Sequence, residues 1–394
     1  MTGETGCDIK RNDFLLLCLQ GFTIAFNVAS VSAIIPAIAS DLHVSDFVAG
    51  RVNWAYMLPY GLMALIYGPL TRRFENRLIA VVSLAGFSVF SLLSGAAGNF
   101  QQLFLYRFLV GFFASAITPL SLIYIADHAP ALGRGKAVGF FFSATFVADL
   151  SGLFLSGIVP WRVMFFIPAA LGVAAAYFTS KHFPATLTDD RAQTASRYFG
   201  ALREPAIFRA FAFIFLVSLF YHGVRQWLGV YFAQELGLKQ FFVSMILVMA
   251  GLAGIFGEAI GGFLSDKQGR LPTLKLGLFL MVLALAMLLF FKAVSALFVV
   301  LLVWGFGWTL NHAGLSTFLT DLDKRYMKEI SSLNSSVRFF SGGLGVMAGG
   351  WLMQRSFTLG FIICGAALFA MFLYTEKILK PAPISNQGPG RVSP

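Results

Sequence analysis

Twelve apolar runs of about twenty residues, divided by short polar breaks, constrain this chain more than any other feature. They lie near 13 to 36, 49 to 70, 77 to 97, 101 to 126, 136 to 159, 161 to 180, 206 to 232, 241 to 264, 273 to 291, 295 to 320, 330 to 353 and 356 to 376. At about 1.5 Å per residue, each run is long enough as a helix to cross the roughly 30 Å hydrocarbon core of a bilayer. The composition agrees: 58% of residues are hydrophobic and 12% charged, and the mean hydropathy is +0.77. A soluble domain cannot hide that much apolar surface. The 44 Phe and 39 Gly suit helices that face lipid on one side and pack closely on the other. The first run is longer than the apolar stretch of a signal peptide and the others follow directly, so it is expected to be retained.

Positive charge stays on the cytoplasmic side, and it is distributed unevenly along this chain. The breaks after runs 2, 4, 6, 8 and 10 hold Arg72, Arg73, Arg77, Arg134, Lys136, Lys181, Arg191, Arg197, Arg203, Lys267, Arg270, Lys324, Arg325 and Lys328, while the alternate breaks hold Arg51, Lys239, Lys292 and Arg355. Both termini are therefore expected on the cytoplasmic face of the cytoplasmic (inner) membrane. The net charge of +11 follows from this topology, so nucleic acid is not an expected partner. Cys7, Cys18 and Cys364 make no disulfide framework, the five His show no metal-ligand spacing with them, and no cofactor is expected. No nucleophile stands beside a base in a recognisable arrangement, so no catalytic residue is assigned and an enzyme is not expected.

The two halves repeat. YGPLTRRFENR after the second run matches GGFLSDKQGR after the eighth at an offset of 194, and the same offset places Gly111 on Gly305, Asp127 on Asp321 and Arg134 on Lys328. This predicts an all-α membrane protein of twelve transmembrane helices in two six-helix, pseudo-symmetric halves. The expected boundaries are residues 1–180, a polar cytoplasmic linker at 181–205, a second bundle at 206–380 and a disordered tail at 381–394. An even number of spans per half relates the halves by an axis along the membrane normal. Transporters so built bind substrate near the midplane, between the halves.

Gly262, Asp266, Gly269 and Arg270 of GGFLSDKQGR, together with Arg107, Gly111 and Pro119 of RFLVGFFASAITP and the stretch PWRVMFF, resemble the signatures of the major facilitator superfamily. Within it the chain is most similar to the bacterial drug/proton antiporter-like branch. Two departures stand out: Arg72 and Glu75 replace the usual Asp and Gly of the first loop copy, and the fifth-run signature survives only as Gly152, Leu153, Ser156 and Gly157. The resemblance implies a secondary transporter that works as a monomer. It also implies gating by the loop charges Arg72, Asp266 and Arg270, a proton-handling role for Arg107, and a cavity lined in part by Asn27.

Ionisable groups inside a span cost at least about 2.5 kcal/mol at its centre, so each has a partner or a purpose. Asp149 lies thirteen residues past Lys136, near the bilayer centre, with Gly152 and Ser156 on its face. It could carry a proton or serve as a structural hydrogen-bond partner. Arg107 could handle protons or act as a fixed counter-charge to Asp149, and Glu258 could join the coupling set or pair at the cytoplasmic end. In the second half Tyr221, His222 and Arg225, then Trp308, Asn311 and His312, then Arg338 with Asn334, supply basic, amide and aromatic groups suited to an anion. The chain is expected to move a small organic solute with protons, as an exporter. Proton-linked uptake of an organic anion and a transport-inactive membrane receptor or scaffold are the alternatives.

Overall fold

Hydrocarbon offers the backbone no hydrogen-bond partner, and a helix satisfies its own N–H and C=O groups locally. The computed structural model describes residues 11–71, 73–128, 134–183 and 195–379, and among them there is no strand. Arg72, residues 184–194 of the expected linker and the expected tail lie outside the described residues.

The helices are α1 (Arg11–Ala29), α2 (Val31–Asp41), α3 (Asp46–Ala49), α4 (Arg51–Leu70), α5 (Asn76–Ala96), α6 (Phe100–Ala114), α7 (Ile117–His128), α8 (Arg134–Leu155) and α9 (Val163–His182). They continue as α10 (Ala195–Arg203), α11 (Pro205–Arg225), α12 (Leu228–Gln234), α13 (Gln240–Gln268), α14 (Arg270–Phe290), α15 (Val294–Thr320), α16 (Met327–Met353) and α17 (Phe357–Ile378). The first, fourth and seventh runs are each split, into α1 with α2, α6 with α7, and α11 with α12. At the first break the Ser30 hydroxyl donates to the Phe26 carbonyl at 3.2 Å, a back-bond that competes with the helix ladder and bends it.

Among the described residues, ten helical stretches are long and apolar enough to cross a membrane, counting α6–α7 and α11–α12 as continuous. Two of the twelve runs, now α4 and α16, are not among them, and these two pack on each other. One polar bond and one ring stack hold that contact. The Ser336 hydroxyl donates to the Gly61 carbonyl at 2.6 Å, and Tyr60 stacks on Phe339 at 3.9 Å. Gly61 is needed at this crossing, because a Cβ there would stand 2.5 Å from the Phe340 backbone nitrogen.

Spans of the first six runs meet those of the last six along α4 with α16 and along α8 with α13. The chain enters α1 and leaves α17 at one end of the bundle, the terminal end, and the opposite end is the distal end. Toward the distal end, Gln240 donates to the Ala33 carbonyl at 2.8 Å and Gln234 to Asp46 at 2.5 Å. Deeper in, Ser156 and Ser244 lie 3.0 Å apart. At the terminal end, α10 turns part of the expected polar linker into a helix. Its Arg197 donates to buried Glu329 of α16 at 2.7 Å and to the Arg325 carbonyl at 2.6 Å.

Candidate functional site

The densest group of polar and aromatic side chains inside the spans comes from α11, α13, α15 and α16, with α8 reaching in from the first half. On α15, Trp304, Trp308 and His312 recur every four residues and form one stripe. Tyr221 of α11 stacks on both tryptophans, 5.2 Å from Trp304 and 3.7 Å from Trp308. His222 meets the Trp308 ring edge-on at 5.7 Å. Its own ring packs where α16 has no side chain: a Cβ on Gly342 would be 2.7 Å from it.

Arg338 closes this wall. Its side chain is 7% exposed and its guanidinium carbon lies 5.9 Å from the Trp308 ring centre. Nε donates to Asn334 at 2.8 Å, one helical turn away, which fixes the guanidinium plane. Nη1 and Nη2 are buried without a partner. A buried donor left empty costs about 1–3 kcal/mol, more when charged, and it persists where a ligand fills it or function requires it.

Two half-buried carboxylates face these cations. Glu258 of α13 has an oxygen 2.7 Å from His312 Nδ1, and its charge acts on Arg338. Asp149 lies deep in the molecule yet is only half-buried, so its side chain meets internal space. The charge acting on it is that of Arg225, from the other half. Arg225 also crosses to the first half, donating to Ser32 of α2 at 2.9 Å. His222 stands in the fields of both Arg225 and Arg338.

Several expected placements change. Of the two readings of Arg107, proton handling or counter-charge to Asp149, the second falls to Arg225, whose charge acts on that acid. Arg107, 1% exposed, donates to Asn27 at 2.5 Å and lies 4.8 Å from the Tyr56 ring and 5.3 Å from that of Phe165, which seals it. Asn27, read either as lining a cavity or as a satisfied interhelical amide, is fully buried and accepts this bond between helices. Asn311 is also fully buried and donates toward the Leu274 carbonyl of α14 at 3.4 Å. One residue of helix is a 100° turn, so Asn311 cannot share the face of His312. Glu258, expected to pair at the cytoplasmic end or to join the coupling set, pairs with His312 beside the aromatic wall.

Of the gating set, Arg270 donates to Asp266 at 2.5 Å and to Asp321 at 2.9 Å, tying the α13–α14 corner to the end of α15, while Arg72 lies outside the described residues. Ser32 and Trp304 are the members that sequence reasoning missed. The four-residue spacing from Trp304 to Trp308 and His312 was the signal available for one of them.

A bundle of membrane-length helices with charges facing one another in its interior, and a guanidinium there with both terminal nitrogens unspent, is the architecture of a membrane carrier. The sequence profile of the Major Facilitator Superfamily matches residues 17–346, and the chain belongs to that family of transporters of small solutes. Among its relatives, an uncharacterised transporter of this type from Bacillus subtilis, YceJ, is 25% identical over 271 residues, 66% of this chain and 68% of its own length. The cis,cis-muconate transport protein of Acinetobacter baylyi is 23% identical over 383 residues, 90% of each chain. The purine ribonucleoside efflux pump NepI of Salmonella paratyphi B is 22% identical over 346 residues, 85% of this chain and 87% of its own. Two solved structures share the fold. A bacterial homologue of the lysosomal transporter Spinster, inward-facing and occupied, superposes with a TM-score of 0.72 at 17% identity, covering 93% of this chain and 94% of the other. The nucleoside transporter NupG gives 0.74 at 13% identity, covering 93% and 100%.

Proposed function

We propose that the chain is a proton-linked carrier of a small organic anion, working by alternating access in the cytoplasmic membrane with both termini in the cytoplasm. The observation that carries this reading is Arg338, a buried guanidinium with two empty donors beside an aromatic face. A carboxylate is the group that fills such a fork with two parallel bonds.

Charge balance supports proton linkage. Arg225 and Arg338 stand against Asp149 and Glu258, so the site is neutral when both acids are ionised. A proton on either acid leaves one guanidinium uncompensated in a poorly solvated site, and an anion restores neutrality. Proton and anion then favour each other's binding, and such linkage is reciprocal. Two solutes that bind better together travel in the same direction, so an inward proton gradient drives uptake. The cis,cis-muconate transport protein of Acinetobacter baylyi, a relative, is in keeping with an anionic substrate. In this reading the distal end is closed, because Gln240, Gln234 and Arg225 join the halves there.

A second reading, proton-driven export of an uncharged planar solute, is favoured by the Tyr221–Trp308 stack and by the nucleoside efflux relatives. Proteoliposomes loaded with a pH dye and offered carboxylates, nucleosides and organic cations separate the two. Internal acidification on adding a carboxylate outside is the expected result. Proton movement against a nucleoside, with no response to any carboxylate, would overturn the anion reading in favour of export.

A further inference from the structure

A groove lies away from the charged cluster, at the distal end of the seam between α4 and α16. It measures about 310 Å³ and is lined from the first half by Phe47, Val48, Arg51 and Trp54, and from the second by Trp227, Met347, Trp351 and Gln354, among others. Its floor is the Trp227 indole, which donates to the Val346 carbonyl at 2.9 Å and stacks on Phe47 at 5.1 Å. The indole fits only because two glycines flank it, one from each half. A Cβ would stand 2.3 Å from the ring at Gly50 and 2.4 Å at Gly350.

The groove opens outward. Trp351 is 61% and Met347 47% exposed on the outer face of α16, where a spanning helix meets lipid. At its distal rim stands exposed Arg51, which makes no ion pair among the described residues. Arg355, next along the rim, lies 3.8 Å over the Trp351 ring. An apolar slot with a cation at its polar end, open to the acyl layer, has the charge and shape of one kind of occupant.

We propose that this groove binds a single anionic phospholipid, its phosphate on Arg51 and one acyl chain along Trp54, Met347 and Trp351, and that the bound lipid holds the distal end closed. Both halves build the slot, so opening the distal end divides it. A ligand that binds one conformation and not the other shifts the balance by its differential affinity alone. Turnover, which requires both conformations, therefore slows as the site fills.

The test uses the full chain, with lipid retention read by native mass spectrometry in mixed phosphatidylglycerol and phosphatidylcholine and with transport read in vesicles of the same mixtures. Wild type should retain one phosphatidylglycerol about fivefold over phosphatidylcholine, the scale of one basic residue near a charged headgroup. Arg51→Gln should lose the preference. Met347→Phe, which keeps the cation but narrows the slot, should lower retention of both lipids. Transport by wild type should slow as phosphatidylglycerol replaces phosphatidylcholine, and transport by Arg51→Gln should not. Equal retention of the two lipids by wild type, or an unchanged preference in Arg51→Gln, would overturn the site. Selective retention with transport indifferent to headgroup would overturn the lock.

Discussion

Arg107 and Arg338 are both buried guanidiniums, one in each half, and they are held in opposite ways. Arg107 donates through a terminal nitrogen to Asn27 and is covered by the rings of Tyr56 and Phe165, with its buried Nε left without a partner. Arg338 is anchored through Nε alone, and its two terminal nitrogens have no partner. The same side chain is a structural bolt in one half and an open receptor in the other. Burial by itself therefore does not mark a binding group; a buried fork with both terminal nitrogens unspent does.

Replacing each arginine with methionine, which keeps much of the apolar stem, sharpens the contrast most. Arg338→Met should abolish transport of the anion while thermal unfolding in detergent stays unchanged or rises, because two buried donor nitrogens without partners have been removed. Arg107→Met should instead lower stability by about 2 kcal/mol or more, since the Asn27 carbonyl then loses a charged donor. If Arg107→Met kept its full stability and lost only transport, the division between bolt and receptor would fail.

Asp149 tests the same contrast from the acid side. Asp149→Asn fixes the neutral form, so the site should still pass anion down its own gradient. Accumulation driven by an imposed pH gradient should fall at least about tenfold, as expected when a coupling free energy of 1–3 kcal/mol is lost. Undiminished proton-driven accumulation would remove Asp149 from the coupling.

The spans were legible because each must carry about twenty apolar residues to exist in lipid at all. The acids and arginines inside them were legible for the converse reason, that hydrocarbon makes every such residue conspicuous. Pairing was not legible. Nothing local in α8 or α11 states that Asp149 answers to Arg225 rather than Arg107, because that depends on how the halves meet. Asn311 was drawn into the site by adjacency to His312, where helical phase should have excluded it. Trp304 was passed over although it lies on the stripe of Trp308 and His312. The breaks at Ser30 and after Arg225 fall inside continuous apolar runs, so hydropathy could not find them.

A smaller effect comes from Asn27→Ala, which leaves Arg107 in place and takes away only its acceptor. It should cost about 1.5–3 kcal/mol by thermal unfolding, the range for a hydrogen bond to a charged group, and leave the substrate profile unchanged. A changed profile would mean that Arg107 also reaches the solute.

The smallest effect is expected where an arginine stands in water. Arg325 donates through Nε to both oxygens of Asp323, at 3.0 and 2.8 Å, and through its backbone N–H at 2.9 Å. These bonds hold the Asp323 carboxyl below the usual carboxylate range. A carboxyl lowered by folding stabilises the native state above its unfolded value, near 3.9, and that contribution fades as pH drops through the lower native value. Stability should therefore show no dependence on this pair between about pH 5 and 8, and a slight acid-linked loss below about pH 4. Asp323→Asn should remove that slight loss. Because the pair is solvent-exposed, its contribution at neutral pH should be small and should vanish in about 1 M salt, where screening acts over roughly 3 Å. The bond from Arg107 to Asn27, out of reach of ions, should not respond to the same salt. Equal salt sensitivity of the Asp323→Asn and Asn27→Ala losses would mean that solvent reaches Arg107, and it could then no longer be called sealed.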